Sequence, residues 1–282
     1  VAGGAWSSGA NMATGRTNGA NAGTLTAALA AGGNTPPITT ATEEYNGSGW
    51  SAGGTLGTGR ISAGSATNAP QTAAIIYGGA TPGKTAVTEE YNGTSWSEVA
   101  DLSTARWSGA SFGNAQTAAV ITGGDAYPPS SGRYKTETEE FDGSSWSTGG
   151  ALGTAGTEFM GSGIESAGLA AGGEGGRPNT SVEEYNGTAW TAGTDMPIGR
   201  TSGAMAGLQT ASIQYGGVSS PGPVATTISY DGSAWTTTPN MAVAKYANQT
   251  GAGSSTAAIS AGSHPAQAPN AQTEEYNFTA NT

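Results

Sequence analysis

The chain has 282 residues, a formal net charge of −11 and only 35% apolar residues. An acidic chain without a basic run is poorly suited to binding nucleic acid or anionic membranes, and no apolar run approaches the roughly 20 residues of a membrane-spanning helix. The chain contains no cysteine, which excludes disulfides and thiolate chemistry. Its 48 glycines are typical of disorder, but the apolar residues recur at regular intervals and therefore favour a folded repeat protein.

One hairpin motif recurs along the chain: two acidic residues, an aromatic residue, an Asn-Gly or Asp-Gly pair and then a tryptophan. The clearest copy spans 88–96. Asn-Gly and Asp-Gly favour a type I′ hairpin turn, and the two aromatic residues would face each other across the paired strands. The complete copies end at Trp50, Trp96, Trp146, Trp190 and Trp235, and a last copy at 274–277 has no tryptophan after it.

Two further markers keep the same phase. A glycine doublet precedes each hairpin, with Gly262-Ser263 in the last copy. A Leu or Met follows each tryptophan, and a basic residue follows four positions later in five of the six copies: Arg16, Arg60, Arg106, Arg200 and Lys245. Gly156 takes that position in the fourth copy. Three markers in phase six times establish an internal repeat.

Each repeat divides into four short strands, a to d. Strand a is small and polar (107–112), strand b is apolar (72–77), strand c holds the acidic pair, and strand d begins at the tryptophan. Four strands in roughly 45–50 residues are typical of a propeller blade. We therefore expect one all-β domain, 1–282, with six four-stranded antiparallel blades, approximately 13–56, 57–102, 103–152, 153–196, 197–241 and 242–282 plus 1–12.

The two ends of the chain each carry half a blade. We expect the strand around Trp6 to pair with the strand around Tyr276 and so close the ring. Exchange of this strand between two chains is the alternative. Because Val1 begins in mid-pattern, we also expect a processed or partial chain.

The glycine doublet after strand b, the aromatic residue of strand c and the tryptophan of strand d resemble the kelch repeat over essentially the whole chain. The motif Glu-Glu-Tyr-Asn-Gly-Thr-x-Trp is also similar to kelch-like repeats in virion and surface proteins of marine bacteriophages. The resemblance implies a propeller and, from the second likeness, a place on a virion.

Antiparallel order assigns the loops to two faces of the ring. The b–c loops and d–a linkers lie on one side, face one, and the a–b and c–d turns lie on the other, face two. All nine basic residues map to face one or near it. The repeated basic residues are expected to pair with the strand-c carboxylates in a structural ring, with a ligand-binding ring as the alternative.

The variable, proline-containing b–c loops of face one are candidate binding elements, because loops on a rigid scaffold commonly carry recognition. The longest, 125–138, contains Tyr127, Arg133, Tyr134 and Lys135, and the next blade contributes Arg177. A merely packed insertion is the alternative. In the fourth blade, which lacks the repeated Arg, Arg177 is a possible substitute partner for Glu183 or Glu184, and the break marks either an interface or drift in the repeat.

No catalytic, metal-binding or cofactor-binding set is evident. His264 is the single histidine, and the acidic pairs recur in five of six repeats, as a structural feature would. Glu158 and Glu165 are the acidic residues that could serve a glycosidase, which needs two carboxylates about 5–10 Å apart.

We therefore expect a non-catalytic virion appendage, fibre or decoration protein, in a virion or at a cell surface. Its partners would be other virion or surface proteins or a host glycan or receptor, in an oligomer or assembly, without nucleic acid or membrane insertion. A secreted carbohydrate-active enzyme is the alternative.

Overall fold

The computed structural model describes residues 3–126, 132–177, 179–246, 251–263 and 270–279. These residues form six four-stranded antiparallel sheets arranged as the blades of a propeller, which confirms the predicted fold. In the order a to d, blade one contains Ala20–Thr24, Ala27–Ala31, Thr42–Tyr45 and Trp50–Ala52, and blade two contains Gly64–Ser65, Ile75–Tyr77, Thr88–Tyr91 and Trp96–Glu98. Blade three contains Ala110–Ala115, Ala118–Thr122, Thr138–Phe141 and Trp146–Gly149, and blade four contains Thr157–Ile164, Ala167–Glu174, Val182–Tyr185 and Trp190–Ala192. Blade five contains Ala204–Leu208, Ala211–Tyr215, Thr227–Tyr230 and Trp235–Thr238, and blade six contains Gly251–Ser254, Ala257–Ala261, Thr273–Thr279 and Gly3–Ser8.

Short ribbons and one helical turn lie in the connections. The ribbons are Ala80–Thr81 with Gly83–Lys84, Arg106–Trp107 with Asp125–Ala126, and Val218–Ser219 with Gly222–Pro223, and the turn is the 3₁₀ helix Gln71–Ala73. Among the described residues, no helix is long and apolar enough to cross a membrane.

The first strand of the chain closes the ring within the same chain. Gly3–Ser8 pairs with Thr273–Thr279 as the outer strand of blade six, and Trp6 stands directly opposite Tyr276. The predicted closure is thus confirmed. All six residues of this strand are paired with the C-terminal strand. The C-terminal strand therefore has no unpaired edge at the place where the two ends of the chain meet.

The c–d turns differ from the predicted type I′ hairpins. In blade one, Tyr45 pairs with Trp50, so the loop has four residues, and Gly47 is the only one of the four with a positive φ. The Asn46 side-chain oxygen accepts the amides of Ser48 and Gly49, each at 2.9 Å. This side-chain capping lets the loop close without a left-handed asparagine. Asp142 and Asp231 cap their turns in the same way.

An aromatic layer joins each blade to the one before it. In blade one, the Trp50 ring lies 5.0 Å from the Tyr45 ring, and its indole N–H donates to the Thr273 hydroxyl of blade six at 3.0 Å. Trp6, Trp96, Trp146 and Trp190 make the equivalent bond to a threonine of the preceding blade. Small alanines and glycines nearer the axis let the blades converge, which explains how a chain with few large apolar residues buries a core.

A second seam contact links strand c of neighbouring blades. The hydroxyls of Tyr45, Tyr91, Tyr185 and Tyr230 donate to the second glutamate of the preceding blade, which is Glu275, Glu44, Glu140 and Glu184 respectively. Blade three has Phe141 at this position, so Glu90 of blade two receives no such bond. Burial raises the pKa of the Glu90 carboxyl.

Blade two departs from the repeat at the axis. Its strand a is reduced to Gly64–Ser65, and the predicted strand 72–77 begins only at Ile75, after the 3₁₀ turn. The freed segment carries Asn68 across the axis, where its side-chain amide donates to the Gly163 and Gly207 carbonyls of blades four and five, each at 3.0 Å. Asn68 therefore connects blades on opposite sides of the ring. In blade three, strand a likewise begins at Ala110 instead of Trp107, because Arg106–Trp107 forms a separate ribbon.

Phe141→Tyr should stabilise the protein by about 1 kcal/mol at neutral pH, because the new hydroxyl would reach Glu90 as the four tyrosines reach their glutamates. The gain requires an ionised Glu90, so it should shrink as the pH falls through the pKa of that carboxyl. Urea unfolding of the wild type and the variant at two pH values measures both effects, and an unchanged or lower stability at neutral pH would contradict the prediction.

Stability should fall in alkali through the seam tyrosines. Burial and then the bonded glutamates raise the pKa of Tyr45, Tyr185 and Tyr230 from 10.0 to about 12. A raised folded-state pKa contributes stability that is complete below about pH 10 and is lost between about pH 10 and 12. Thermal unfolding midpoints across this range, compared with those of a triple Tyr→Phe variant, should show a steeper loss for the wild type. Parallel curves for the two proteins would refute it.

Candidate functional site

In blades one, two, three and six, a buried basic residue near face one pairs with a glutamate of strand c. In blade one, the Arg16 guanidinium pairs with Glu43 at 2.5 Å and donates to the Gly32 and Ala41 carbonyls, which flank the b–c loop. Arg60 with Glu89, Arg106 with Glu139 and Lys245 with Glu274 repeat the pair. All of these side chains are almost fully buried, so the pairs lie inside the blades.

The glutamate of each pair has a second partner. Glu43 accepts the backbone amide of Ala13 at 2.7 Å, in the linker that arrives from the previous blade. The equivalent amides are those of Gly57, Ser103, Gly153 and Ala242, with donor–acceptor distances of 2.6–2.7 Å. One carboxylate thus neutralises the buried cation and satisfies a linker N–H that would otherwise be unpaired.

The backbone at the same position joins the blades. The amide of the second doublet residue donates to the carbonyl of the basic residue in the next blade, as in Gly33 to Arg60 at 2.8 Å. An equivalent bond occurs at all six seams with distances of 2.7–3.2 Å, through Gly79, Gly124, Gly173, Gly217 and Ser263, and the acceptor for Gly124 is the carbonyl of Gly156, at the position of the missing arginine. Both doublet glycines have positive φ, 64° and 94° in blade one, which explains why glycine occupies both positions.

In blade four, Arg177 takes the place of the missing repeat arginine. It reaches Glu183 from the b–c loop, with a distance of 2.9 Å between Nη1 and Oε1, and it is buried. Its guanidinium lies 4.9 Å from the centre of the Phe159 ring, and its Cδ lies against the place that a side chain at Gly156 would occupy. The large Phe159, unusual for strand a, therefore supports the substitute cation, and Glu183 does not lack a partner.

Blade five retains the arginine but lacks the carboxylate. Ile228 occupies the position of the first glutamate, and Arg200 Nη2 has no hydrogen-bond partner within the described parts of the chain. Burial lowers the pKa of Arg200 to about 10. The linker residue that would donate to the glutamate is Pro197, which has no N–H, so only the arginine is left without its usual partner.

On the surface of face one, Asp125 organises a polar cluster. The ammonium of Lys84 from blade two pairs with one carboxylate oxygen, and Arg133 Nε donates to the other at 2.9 Å. Trp107 also donates to this carboxylate. Burial would raise the Asp125 pKa, but the bonds from Lys84, Arg133 and Trp107 outweigh it and hold the pKa below its usual value.

The structure separates the five predicted binding residues. The Arg133 side chain is 61% exposed, and its guanidinium lies 5.1 Å from the centre of the Tyr134 ring. Lys135 and Arg177 are buried, whereas Tyr127 lies outside the described residues. The cluster instead gains Lys84 and Trp107. Trp107 is the only one of the seven tryptophans outside the repeat phase, which is the sequence signal that could have identified it.

Glu158 and Glu165 lie at opposite ends of one strand. Glu158 is near the start of Thr157–Ile164 on face one, and Glu165 directly follows the strand on face two. Seven residues of extended chain separate them by roughly 20 Å. That distance exceeds the carboxylate separations of both retaining and inverting glycosidases, so the two residues do not form one catalytic pair.

No family model matches the chain, and no curated protein matches it. Among the described residues, no group of three or more acidic, histidine or cysteine side chains could hold a metal ion. The kelch-like and phage-like likenesses of the repeats thus rest on the residues of the chain itself.

Arg106→Met should cost roughly 3–5 kcal/mol of stability, because it leaves the buried Glu139 without its cation. Arg200→Met is the matched control. Both arginines donate to two loop carbonyls, but Arg200 has no carboxylate partner among the described residues. Denaturant unfolding should therefore show a clearly smaller loss for Arg200→Met, and equal losses would show that the ion pair is not the source of the difference.

Proposed function

We propose that the protein is a non-catalytic recognition module, carried on a virion or other extracellular surface, that binds a host-surface glycan or receptor or a neighbouring structural protein. The observation that carries this proposal is the cluster around Asp125. It holds an exposed arginine beside a half-buried tyrosine on a rigid ring. Arginine and tyrosine are common anchors of binding surfaces.

The distribution of charge supports binding over catalysis. The repeated carboxylates are engaged in buried ion pairs or accept tyrosine hydroxyls, apart from Glu90, and each belongs to the repeat. Carboxylates held in this way are poorly placed to act as general acids or bases, because their oxygens already bind partners within the fold and do not line the axial cavity of the ring. The kelch-like and phage-like sequence motif of the hairpins favours a virion component that belongs to an oligomer or a larger assembly.

A secreted carbohydrate-active enzyme remains the competing proposal, since propellers carry many unrelated functions. It requires two carboxylates that face one cavity. Among the described residues, the axial cavity of the ring is lined by small and apolar side chains together with Asn21, Ser65, Thr67 and Ser111, and by no carboxylate.

Labelled protein incubated with intact bacterial cells and with an array of bacterial surface glycans tests the proposal, with released reducing sugar measured in parallel. We expect binding without sugar release. The double variant Arg133→Ala/Tyr134→Ala should weaken binding about tenfold or more, as loss of an interface anchor does.

Thr94→Ala is the matched control, because Thr94 is exposed on face two and its side chain is outside the cluster. It should bind like the wild type. Release of reducing sugar would favour the enzyme, and equal losses for the control and the double variant would remove the Asp125 cluster from the binding surface.

A further inference from the structure

A ring of left-handed residues surrounds the axis on face one. Asn18, Ser62, Ser108, Glu158 and Ser202 have φ values of 52–57° and occupy the same position in blades one to five. The amide of each donates to the carbonyl of the one before it: Ser62 to Asn18, Ser108 to Ser62, Glu158 to Ser108 and Ser202 to Glu158, at 2.8–3.3 Å. The blade-six position lies outside the described residues. We call these five residues the mouth ring.

The conformation of the mouth ring is costly for its residue types. Left-handed φ is uncommon outside glycine and asparagine, and strained residues of this kind cluster at functional sites. Glycine would remove the strain, yet the ring carries polar side chains in all five blades. The side chains also join neighbours: Asn18 donates to the Ser62 hydroxyl at 3.1 Å, and the Ser202 hydroxyl donates to Glu158 at 2.7 Å.

The axial cavity lies directly beneath the mouth ring. Its volume is only about 40 Å³, and Ala63, Gly109, Phe159 and Gly203, each next to a ring residue in sequence, border it. Asn68 crosses the axis at the far end, so the cavity is blind towards face two. Among the described residues, the cavity is therefore open to a ligand from the mouth and closed by the Asn68 segment on the other side.

Two buried polar atoms in this cavity have no hydrogen-bond partner among the described residues. Asn21 Nδ2 and Thr67 Oγ1 belong to side chains that are only 5% and 6% exposed, and both residues line the cavity. Buried polar groups are normally satisfied by protein, water or ligand. An amide donor and a hydroxyl thus lie within a narrow cavity that also presents the apolar Phe159, Met160 and Met205.

We propose that the mouth ring binds a neutral pyranose sugar, with one hydroxyl-bearing substituent of the sugar directed into the axial cavity towards Asn21 and Thr67. Glu158 is the acceptor for sugar hydroxyls, and the ring serines and Asn18 supply groups that both donate and accept, as sugar hydroxyls do. This assignment rests on the proposed recognition function and names a ligand class and a second site for it, which shares Trp107 with the Asp125 cluster.

Trp107 supplies the apolar side of such a site. It precedes the ring residue Ser108, it is half-buried, and it packs against no other aromatic ring among the described residues, unlike the six repeat tryptophans. The C–H face of a pyranose packs on an aromatic ring, whereas its hydroxyls seek a few placed polar groups. Glu158 is the single carboxylate of the mouth ring, and the other four ring residues are neutral. Its carboxylate accepts hydrogen bonds from the hydroxyls of a neutral sugar, whereas it would repel the carboxylate of an acidic sugar.

The experiment measures the binding of free methyl glycosides of glucose, galactose and mannose to the intact chain by saturation-transfer NMR and tryptophan fluorescence. Glucosamine and a methyl glucuronide are the charged comparators. We expect at least one neutral glycoside to bind with a Kd of about 1 mM or tighter. Glu158→Ser should weaken that binding about tenfold, through the loss of hydrogen bonds to a charged acceptor.

The variants are chosen to fold. Serine stands at the Glu158 position in blades two, three and five, and Trp107→Thr introduces the residue found at that position in blades one, four and five. The matched control is Glu165→Gln, which removes the same charge on face two and restores the residue of Gln71, Gln116 and Gln209. Glu158→Ser and Trp107→Thr should both weaken binding, and Glu165→Gln should leave it unchanged.

The inference is overturned if no neutral glycoside binds, if only a charged sugar binds, or if Glu158→Ser and Glu165→Gln have equal effects. The cell and glycan-array assay tests the proposed recognition function, and its outcome is independent of the outcome for the mouth ring. Binding to cells that depends on Arg133 and Tyr134 but not on Glu158 would retain the recognition function and reject the mouth ring as a sugar site. Binding of free glycosides at Glu158 without binding to cells or surface glycans would do the reverse.

Discussion

The architecture depends on the burial of one cation at the foot of each blade. Burying an unpaired guanidinium is costly, and in blades one to three the fold offsets this cost with a carboxylate from strand c and two carbonyls at the ends of the b–c loop. In blade four Arg177 supplies the cation and Gly156 the carbonyl. In the other five blades the carbonyl of the basic residue itself accepts the doublet amide of the preceding blade, so one residue fixes both the interior of its own blade and the seam to its neighbour. The glycine doublets, the first glutamate of each acidic pair and the linker amides all belong to this one arrangement.

Much of the fold was predictable because its determinants are local and repeated. The phase of Trp50, Trp96 and the later tryptophans predicted the blade count, and the unpaired halves around Trp6 and Tyr276 predicted the closure. The turn type was wrong, because capping by the Asn46 side chain competes with the type I′ conformation that Asn-Gly usually favours. The course of 66–70 across the axis depends on contacts with blades four and five, which no local pattern in blade two records.

The candidate site was less predictable, since the position of a residue in the sequence does not show whether its side chain is buried or exposed. Arg133 and Arg177 both lie in b–c loops, yet one is exposed and the other is buried beneath a phenylalanine. The unpaired Arg200 was visible in principle. The loss of the strand-c glutamate at Ile228 coincides with Pro197, and together they remove an acceptor and its backbone donor while leaving the cation. The mouth ring gave no signal, because single serines and one asparagine are unremarkable until their φ values are known.

The closure of blade six has a consequence for how the ring is made in the cell. During translation the segment with Trp6 leaves the ribosome before the other five blades, but its partner strand around Tyr276 is synthesised about 270 residues later. At roughly 5–20 residues per second, the first strand waits tens of seconds without a partner. Blades one to five are contiguous in sequence and need no such wait. A strand whose backbone stays unpaired for so long is open to capture by another nascent chain, so crowding of ribosomes on one message would favour exchanged rings over closed ones.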